Sequence, residues 1–388
     1  MTQRRWIGAL TALALAPPPV MLAAQSAETA PRTWISQLYP YAYYSSVDGF
    51  WLAGHVAWYS PMGFTQRPEP NFANVRFDAA ASTKGSYLIV VDAQAPAYWD
   101  GWRAGLTFTV ARANRLGYYG QGNDAPYDRD SITPANPYFY KVSRTTETAR
   151  LTVQRRVIGP LRVLGGATME HTDFRALPGQ SRFKQDLASG AVDSATVPFN
   201  DYVVRGGVVV DWRDQEVDPH RGVFAEALVA NGRGYTRTTA HARVYAHPLE
   251  KVMLAGRIGI ERMTGSAPTA AQLSMESSDG PFVALGGYRS LRGYYDARFV
   301  GPGKLVGGVE ARYGLLWAPR LMELKLVAFY DVGRVFAPGE RARFTTTGLH
   351  SAAGGEVALA LFRNTLFVLG FGKSPEGTQL VFGTTWSY

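Results

Sequence analysis

The chain ends Thr378-Gln379-Leu380-Val381-Phe382-Gly383-Thr384-Thr385-Trp386-Ser387-Tyr388. Successive side chains of a strand point to opposite faces. Leu380, Phe382, Thr384, Trp386 and Tyr388 therefore share one face, and Gln379, Val381, Gly383, Thr385 and Ser387 share the other. The same alternation runs through Glu323–Asp331. There Leu324, Leu326, Ala328 and Tyr330 oppose Glu323, Lys325, Val327, Phe329 and Asp331. In Tyr202–Asp214, the set Tyr202, Val204, Gly206, Val208, Val210 and Trp212 opposes Val203, Arg205, Gly207, Val209, Asp211 and Arg213. A sandwich turns such an apolar face toward its core, whereas a membrane barrel turns it outward and keeps the polar face inside. Alternation alone leaves both open.

The start of the chain bears on compartment. Arg4 and Arg5 precede an uncharged stretch from Trp6 to Ala16, then Pro17 to Pro19 and small residues to Ala24. This order reads as a secretory signal peptide over residues 1–24, with a cut near Ala27 as the alternative, and 25–388 as one barrel domain. The apolar part is too short for a bilayer-spanning helix, which needs about twenty residues. Removing Arg4 and Arg5 lowers the formal charge from +9 to +7, and no Lys/Arg-dense stripe follows, so nucleic acid is not an expected partner. With no cysteine among 388 residues, disulfides, thiolate metal sites and cysteine nucleophiles are excluded. No later uncharged apolar run is long enough for a membrane helix.

Turn signals divide the chain into about sixteen strands, an even number as bacterial barrels require. Short connections such as Ile158-Gly159-Pro160 and Pro248-Leu249-Glu250 alternate with long ones at Leu116–Pro137, Arg175–Asn200 and Thr264–Gly303. The expected fold is all-β: a transmembrane antiparallel barrel with a long extracellular loop folded inward. Trp58, Tyr59, Trp99, Trp102, Trp212, Trp317 and Trp386 suit aromatic girdles. The final strand, with Trp386 and a terminal Tyr388, resembles the C-terminal signal of outer-membrane barrels, where Phe is the commoner last residue.

Inside the longest connection lies Phe282-Val283-Ala284-Leu285-Gly286-Gly287-Tyr288-Arg289-Ser290-Leu291-Arg292-Gly293-Tyr294. Downstream come Gly308-Val309-Glu310 and Phe329-Tyr330-Asp331-Val332-Gly333; upstream stands Asp211-Trp212-Arg213-Asp214 with Pro219 and Gly222. In this order the segments resemble the BamA/TamA superfamily of outer-membrane barrels, most sharply from Asp201 to Tyr388. Parity places Glu310 and Asp331 on lumen faces of adjacent strands, and a guanidinium offers a fork that carboxylates accept bidentately. The resemblance implies that Arg292, with Gly293 and Tyr294, pins the loop inside the barrel against Glu310 and Asp331. A purely structural ion pair is the alternative.

The family also has a lateral seam between first and last strands. Pro40, which cannot donate to a ladder, and Gly370, Gly372 and Gly383 of the last hairpin are candidates for a weak seam. Equally, Pro40 precedes the first strand and the glycines are ordinary wall residues. About a dozen residues separate the signal peptide from Leu38, so periplasmic POTRA modules are not expected. The resemblance implies a bacterial outer-membrane factor in protein or lipid assembly or translocation. Its implied partners are outer-membrane lipid including lipopolysaccharide, the barrel assembly machinery for its own insertion, and a separately encoded periplasmic helper. A passive or gated solute pore is the alternative. An enzyme, a cofactor and a metal are not expected: there is no Gly-x-Ser-x-Gly, and His55, His171, His220, His241, His247 and His350 show no metal-ligand spacing.

Overall fold

A computed structural model describes residues 10–12, 33–45, 47–62, 68–318, 321–361 and 365–388. Apart from Leu10–Ala12, the signal-peptide segment lies outside the described residues. Sixteen strands follow in chain order. The first eight are β1 (Ile35–Ser45), β2 (Gly49–Pro61), β3 (Asn71–Ser82), β4 (Tyr87–Trp99), β5 (Trp102–Gly117), β6 (Lys141–Ile158), β7 (Leu161–Ala176) and β8 (Phe199–Asp211). The rest are β9 (Gly222–Gly232), β10 (Tyr235–Leu249), β11 (Val252–Gly265), β12 (Gly303–Ala318), β13 (Met322–Phe336), β14 (His350–Leu361), β15 (Thr365–Ser374) and β16 (Gly377–Gly383). Each pairs antiparallel with its neighbours in sequence, from β1 with β2 to β15 with β16. The backbone of Leu10–Ala12 pairs with the Tyr43–Ser45 end of β1.

The sheet curls on itself. One cavity of about 710 Å³ is lined at once by Gln37 of β1, His55 of β2, Arg150 of β6, Arg237 of β10 and Leu366 of β15. The residues β1 presents to it are Ile35, Gln37 and Tyr39, while Leu38 on the opposite face is 75% exposed. β13 confirms the alternation: Glu323, Lys325, Val327, Phe329 and Asp331 are buried and Leu326 and Tyr330 exposed. In β8, Arg205 and Val209 are buried while Tyr202, Val204 and Val208 are exposed. The exposed side is thus the apolar one, the inversion that an aqueous sandwich would not tolerate over so large a surface.

Connections 118–140, 177–198, 266–302 and 337–349 gather at one end, and short turns such as 100–101, 159–160 and 250–251 at the other, together with residue 34 and the tail after Gly383. Trp58, Trp99, Trp102 and Trp212 are exposed at the short-turn end, as one girdle of an interfacial belt requires. Two expected girdle members do not belong to it. Tyr59 turns inward and accepts a hydrogen bond from Gln37 Nε2 (3.1 Å), and Trp386 is buried. The side chain of Trp317 lies outside the described residues.

The end of the chain departs most from expectation. β16 stops at Gly383, and Trp386 and Tyr388 are each 4% exposed. Leu380, at 62%, keeps the outward place that alternation gives it. Continuing the alternation through Tyr388 assumes that the strand continues. Instead, residues 384–388 bend into the lumen, where aromatic rings meet inward-facing cations, so Trp386 and Tyr388 do not form an outward aromatic end.

A curled sheet with this inversion, read as a membrane barrel, predicts heat-modifiable migration in detergent gels: unheated protein runs ahead of boiled protein. Equal migration would contradict a barrel.

Candidate functional site

The β11–β12 connection, residues 266–302, does not stand outside the barrel. It begins with a short helix, α1 (Thr269–Gln272), turns through a two-rung hairpin of Ser274–Met275 against Phe282–Val283, and descends along the inner wall. Its Met275, Leu285, Leu291 and Phe299 are almost wholly buried against Val306, Val335 and Ala352 of β12, β13 and β14. Leu273, Val283, Ala297 and Val300 form a second cluster with Leu116, Phe174 and Phe183 beneath the other long connections. An eight-strand barrel fills itself with side chains, but sixteen strands leave room for a segment of chain.

Arg292 lies near the end of the turn Gly286–Gly293. Its Nε and Nη2 donate to the two oxygens of Asp331 (2.7 and 2.9 Å), and its own backbone N–H donates to Asp331 Oδ2 (3.2 Å). Nη1 donates to Glu310 Oε1 (2.7 Å) and to Glu356 Oε1 (3.2 Å). The guanidinium carbon sits 3.7 Å from the ring centroid of Phe329. Burial opposes the charge on Arg292, but Asp331, Glu310 and Glu356 outweigh it and hold its pKa well above the ordinary value. The expected pair, Glu310 and Asp331, is therefore in place on β12 and β13. The third acid, Glu356 of β14, is the one sequence reasoning missed. Its signal was a lone acid in the otherwise small and apolar run Ser351-Ala352-Ala353-Gly354-Gly355-Glu356-Val357-Ala358.

Two further arginines complete the charge balance. Arg312 donates bidentately to Glu310 Oε2 (2.9 and 2.7 Å), and Arg257 approaches Asp331 at 3.7 Å. Arg257 also donates to the carbonyls of Arg289 and Ser290, gripping the loop backbone. Three guanidinium groups thus face three carboxylates. The C-terminal tail docks on the same group: Ser387 Oγ donates to Glu310 Oε1 (3.1 Å), Arg312 lies 3.6 Å from the Trp386 ring centroid, and Arg257 lies 4.5 Å from that of Tyr388.

Gly293 takes φ +99°, a conformation that disfavours side chains, and passes against the wall at Gly372. A Cβ on Gly372 would lie 2.6 Å from Gly293 N, so neither position has space for one. Ser374 Oγ donates to the Gly293 carbonyl (2.8 Å). Tyr294 packs edge-on against Phe299 within the buried cluster. Of the other seam candidates, Gly383 makes room for the ring of Tyr288 and Gly370 for Glu356. These glycines serve the loop and its acids rather than simply thinning the wall. Pro40 lies within β1 opposite Gly54 and does not precede the strand.

A second anchor lies across the lumen. Glu276 at the tip of the loop accepts from Arg150 Nη2 (2.6 Å), its backbone N–H donates to Glu261 Oε2 (2.8 Å), and His241 Nε2 donates to its carbonyl (2.9 Å). Burial raises the pKa of Glu276, but Arg150 outweighs it and holds the group at about 2. At the short-turn end, the connection 212–221 folds beneath the lumen. Arg213 grips Asp211 bidentately (both 2.8 Å), and Asp214 Oδ1 accepts the N–H groups of His220 and Arg221. Asp218 receives Lys325 and Trp386 Nε1, the latter at 2.9 Å. Asp218, His220 and Glu323 have ligand atoms within 4.8 Å of one another, a metal-like grouping. The Lys325 ammonium, hydrogen-bonded to Asp218 and 2.9 Å from Glu323, already supplies the positive charge there. Burial pushes the His220 imidazole down, but contacts with Asp218 and Glu323 raise it to about 9.

Removing one partner of a buried, hydrogen-bonded charge costs about 3–5 kcal/mol. Arg292→Ala and Asp331→Asn are each expected to lower stability by about that amount, and the double variant by much less than the sum. Denaturant melts of the folded barrel measure this, and strict additivity would sink the latch. Two pH limbs are also expected. The Glu276 anchor contributes fully above pH 4.5, its ordinary value, and is lost as pH falls through about 2. The His220 contribution is complete below pH 6.5 and is lost as pH rises through about 9. Stability measured against pH therefore peaks between these limbs, and His220→Gln flattens the alkaline one.

The Omp85 superfamily domain model matches residues 75–363. BamA from Haemophilus ducreyi, in a structure lacking POTRA domains 1–3, is similar in fold at TM-score 0.53 and 13% identity, over 91% of this chain and 69% of that one. CdiB from Escherichia coli is similar at TM-score 0.56 and 10% identity, over 92% of this chain and 63% of that one. CdiB from Acinetobacter baumannii gives 0.50 and 10%, over 98% and 66%. The chain thus spans about two thirds of the structures it resembles, and at these identities the likeness is one of fold. No curated protein matches its sequence. With the match covering most of the chain, and with the inward loop and its arginine latch in place, this is an outer-membrane β-barrel of the bacterial Omp85 superfamily.

Proposed function

We propose that this barrel acts in the assembly or translocation of outer-membrane protein or lipid, handling its client at the seam between β1 and β16. The observation that carries this reading is the fully buried latch: Arg292, Glu310 and Asp331 all have 0% side-chain exposure, so the loop is fixed inside the lumen. A general diffusion pore needs an open lumen. Here the loop occupies part of it, and the short-turn end is crossed by residues 212–221. What remains accessible to a large client is the wall itself, where β16 is only seven residues long beside longer strands. The reading includes lipopolysaccharide-containing lipid as surroundings, the barrel assembly machinery for insertion, and a separately encoded periplasmic helper for client delivery. No bond-making step is part of it.

A pore is the rival reading, favoured by the cavity of about 710 Å³ that persists beside the loop. Planar-bilayer recording separates the two. The assembly reading expects small, flickering conductance in the wild type and a several-fold larger conductance in Arg292→Ala. A large, steady conductance in both would instead make the protein a porin that shares the family's fold.

A further inference from the structure

The latch accounts for one side of the loop; the cavity lies on the other side, where arginines and acids line it together. Around Glu276 stand Arg150, Arg205 and Arg237, and Lys304 pairs with Glu261 at 2.7 Å. Arg150, Arg205, Arg237 and Lys304 thus gather about Glu261 and Glu276, with Glu170 also near Arg237. Arg205 is 3% exposed, yet its hydrogen bonds go only to neutral oxygens: Thr168 Oγ1 (2.7 Å), the Leu151 carbonyl (2.7 Å) and Thr152 Oγ1 (2.5 Å). Its Nε, and that of Arg237, have no hydrogen-bond partner among the described residues. A guanidinium kept out of water without a carboxylate is costly, and it is a strong attractor for one. Glu170 and Asp201 also face the cavity, but they accept from Thr172 and from Tyr235 and the Arg233 amide respectively.

Farther along the same wall, Arg243 donates to Asp279 at 3.2 Å, the second acid of the loop tip, whose side chain is 36% exposed. The loop thus places two carboxylates onto a row of arginines, with open volume beside them. We propose that this part of the lumen is an oxyanion-binding chamber. In it Arg150, Arg237 and Arg243 receive a carboxylate or phosphate group of a solute at the places now filled by Glu276 and Asp279, which act as built-in competitors. The forked guanidinium matches both oxyanions, Thr148, Thr152 and Thr168 add hydroxyl donors to the lining, and about 710 Å³ lies within the range of small-molecule sites. The inference is independent of what passes the seam.

The test is calorimetric titration of the full-length, detergent-solubilised barrel at low ionic strength, with inorganic phosphate in one arm and acetate in the other. Glu276→Gln, which removes a competing carboxylate but keeps its shape, is expected to bind at least one of the two about tenfold more tightly than wild type. Asp279→Asn gives a smaller gain in the same direction and serves if Glu276→Gln fails the heat-modifiability check. Adding Arg237→Gln to Glu276→Gln, or Arg243→Gln to Asp279→Asn, abolishes the gain. Tightening toward phosphate alone assigns a tetrahedral ligand, and toward acetate alone a planar one. The proposal is overturned if neither acid variant binds either anion more tightly than wild type, or if the gain survives removal of the paired arginine, Arg237 for Glu276 and Arg243 for Asp279. Both outcomes leave the Arg292 latch and the bilayer test untouched.

Discussion

A charged guanidinium held out of water at the centre of the lumen sets the terms for the rest of the barrel. Arg292 is fully buried, and a charge so placed is tolerated only when acids surround it with good geometry. The acids come from three consecutive strands, Glu310 on β12, Asp331 on β13 and Glu356 on β14. A slip of one residue in any of these ladders would turn its carboxylate toward the apolar outer face. The observed registers, Gly308 opposite Asp331 and Val327 opposite Glu356, are therefore the ones in which all three acids can meet one loop residue. The loop selects the pairing of the wall as much as the wall holds the loop.

From this follows an interior unlike that of an open channel. Leu285, Leu291 and Phe299 of the loop pack on Val306, Val335 and Ala352, so part of the lumen is an ordinary apolar core with a loop as one of its layers. The remainder is polar and divided by charge. Cations of the loop meet acids on β12 to β14, and acids of the loop meet arginines on β6 and β10. Held by acids on β12 to β14 and by arginines on β6 and β10, the loop cannot satisfy both anchors from a position outside the barrel.

The wall was largely readable from period-two alternation, because burial on one face and apolarity on the other repeat every second residue. Parity placed Glu310 and Asp331 in the lumen, and the motif around Arg292 supplied their partner. Glu356 was harder to find: it lies 64 residues from Arg292, and no local pattern records a contact made by folding a loop inward. Glu276 and Asp279 escaped for the same reason, since their arginines lie on distant strands. The tail was misread for a different one. Alternation says which face a residue takes while the strand lasts, and nothing in Thr384–Tyr388 announces that pairing ends at Gly383. The tail bends onto the row Arg257, Arg312 and Lys325, inward cations over which the rings of Tyr388 and Trp386 lie.

That bend joins the last strand to the latch. Glu310 Oε1 accepts both Arg292 Nη1 at 2.7 Å and Ser387 Oγ at 3.1 Å, so one oxygen serves the loop and the chain end together. On the other side Trp386 donates to Asp218, which also holds Lys325. The tail thus spans from the central charge cluster to the turn that crosses the base of the lumen. Drawing β16 away from the barrel would pull Ser387 and Trp386 from buried acceptors, each at the cost of an unsatisfied polar group. Withdrawing Arg292 would leave Glu310 with Arg312 and Ser387 alone. In this structure the closing strand and the loop are bound by the same carboxylate, so the wall cannot loosen at its last strand without disturbing a ligand of the latch.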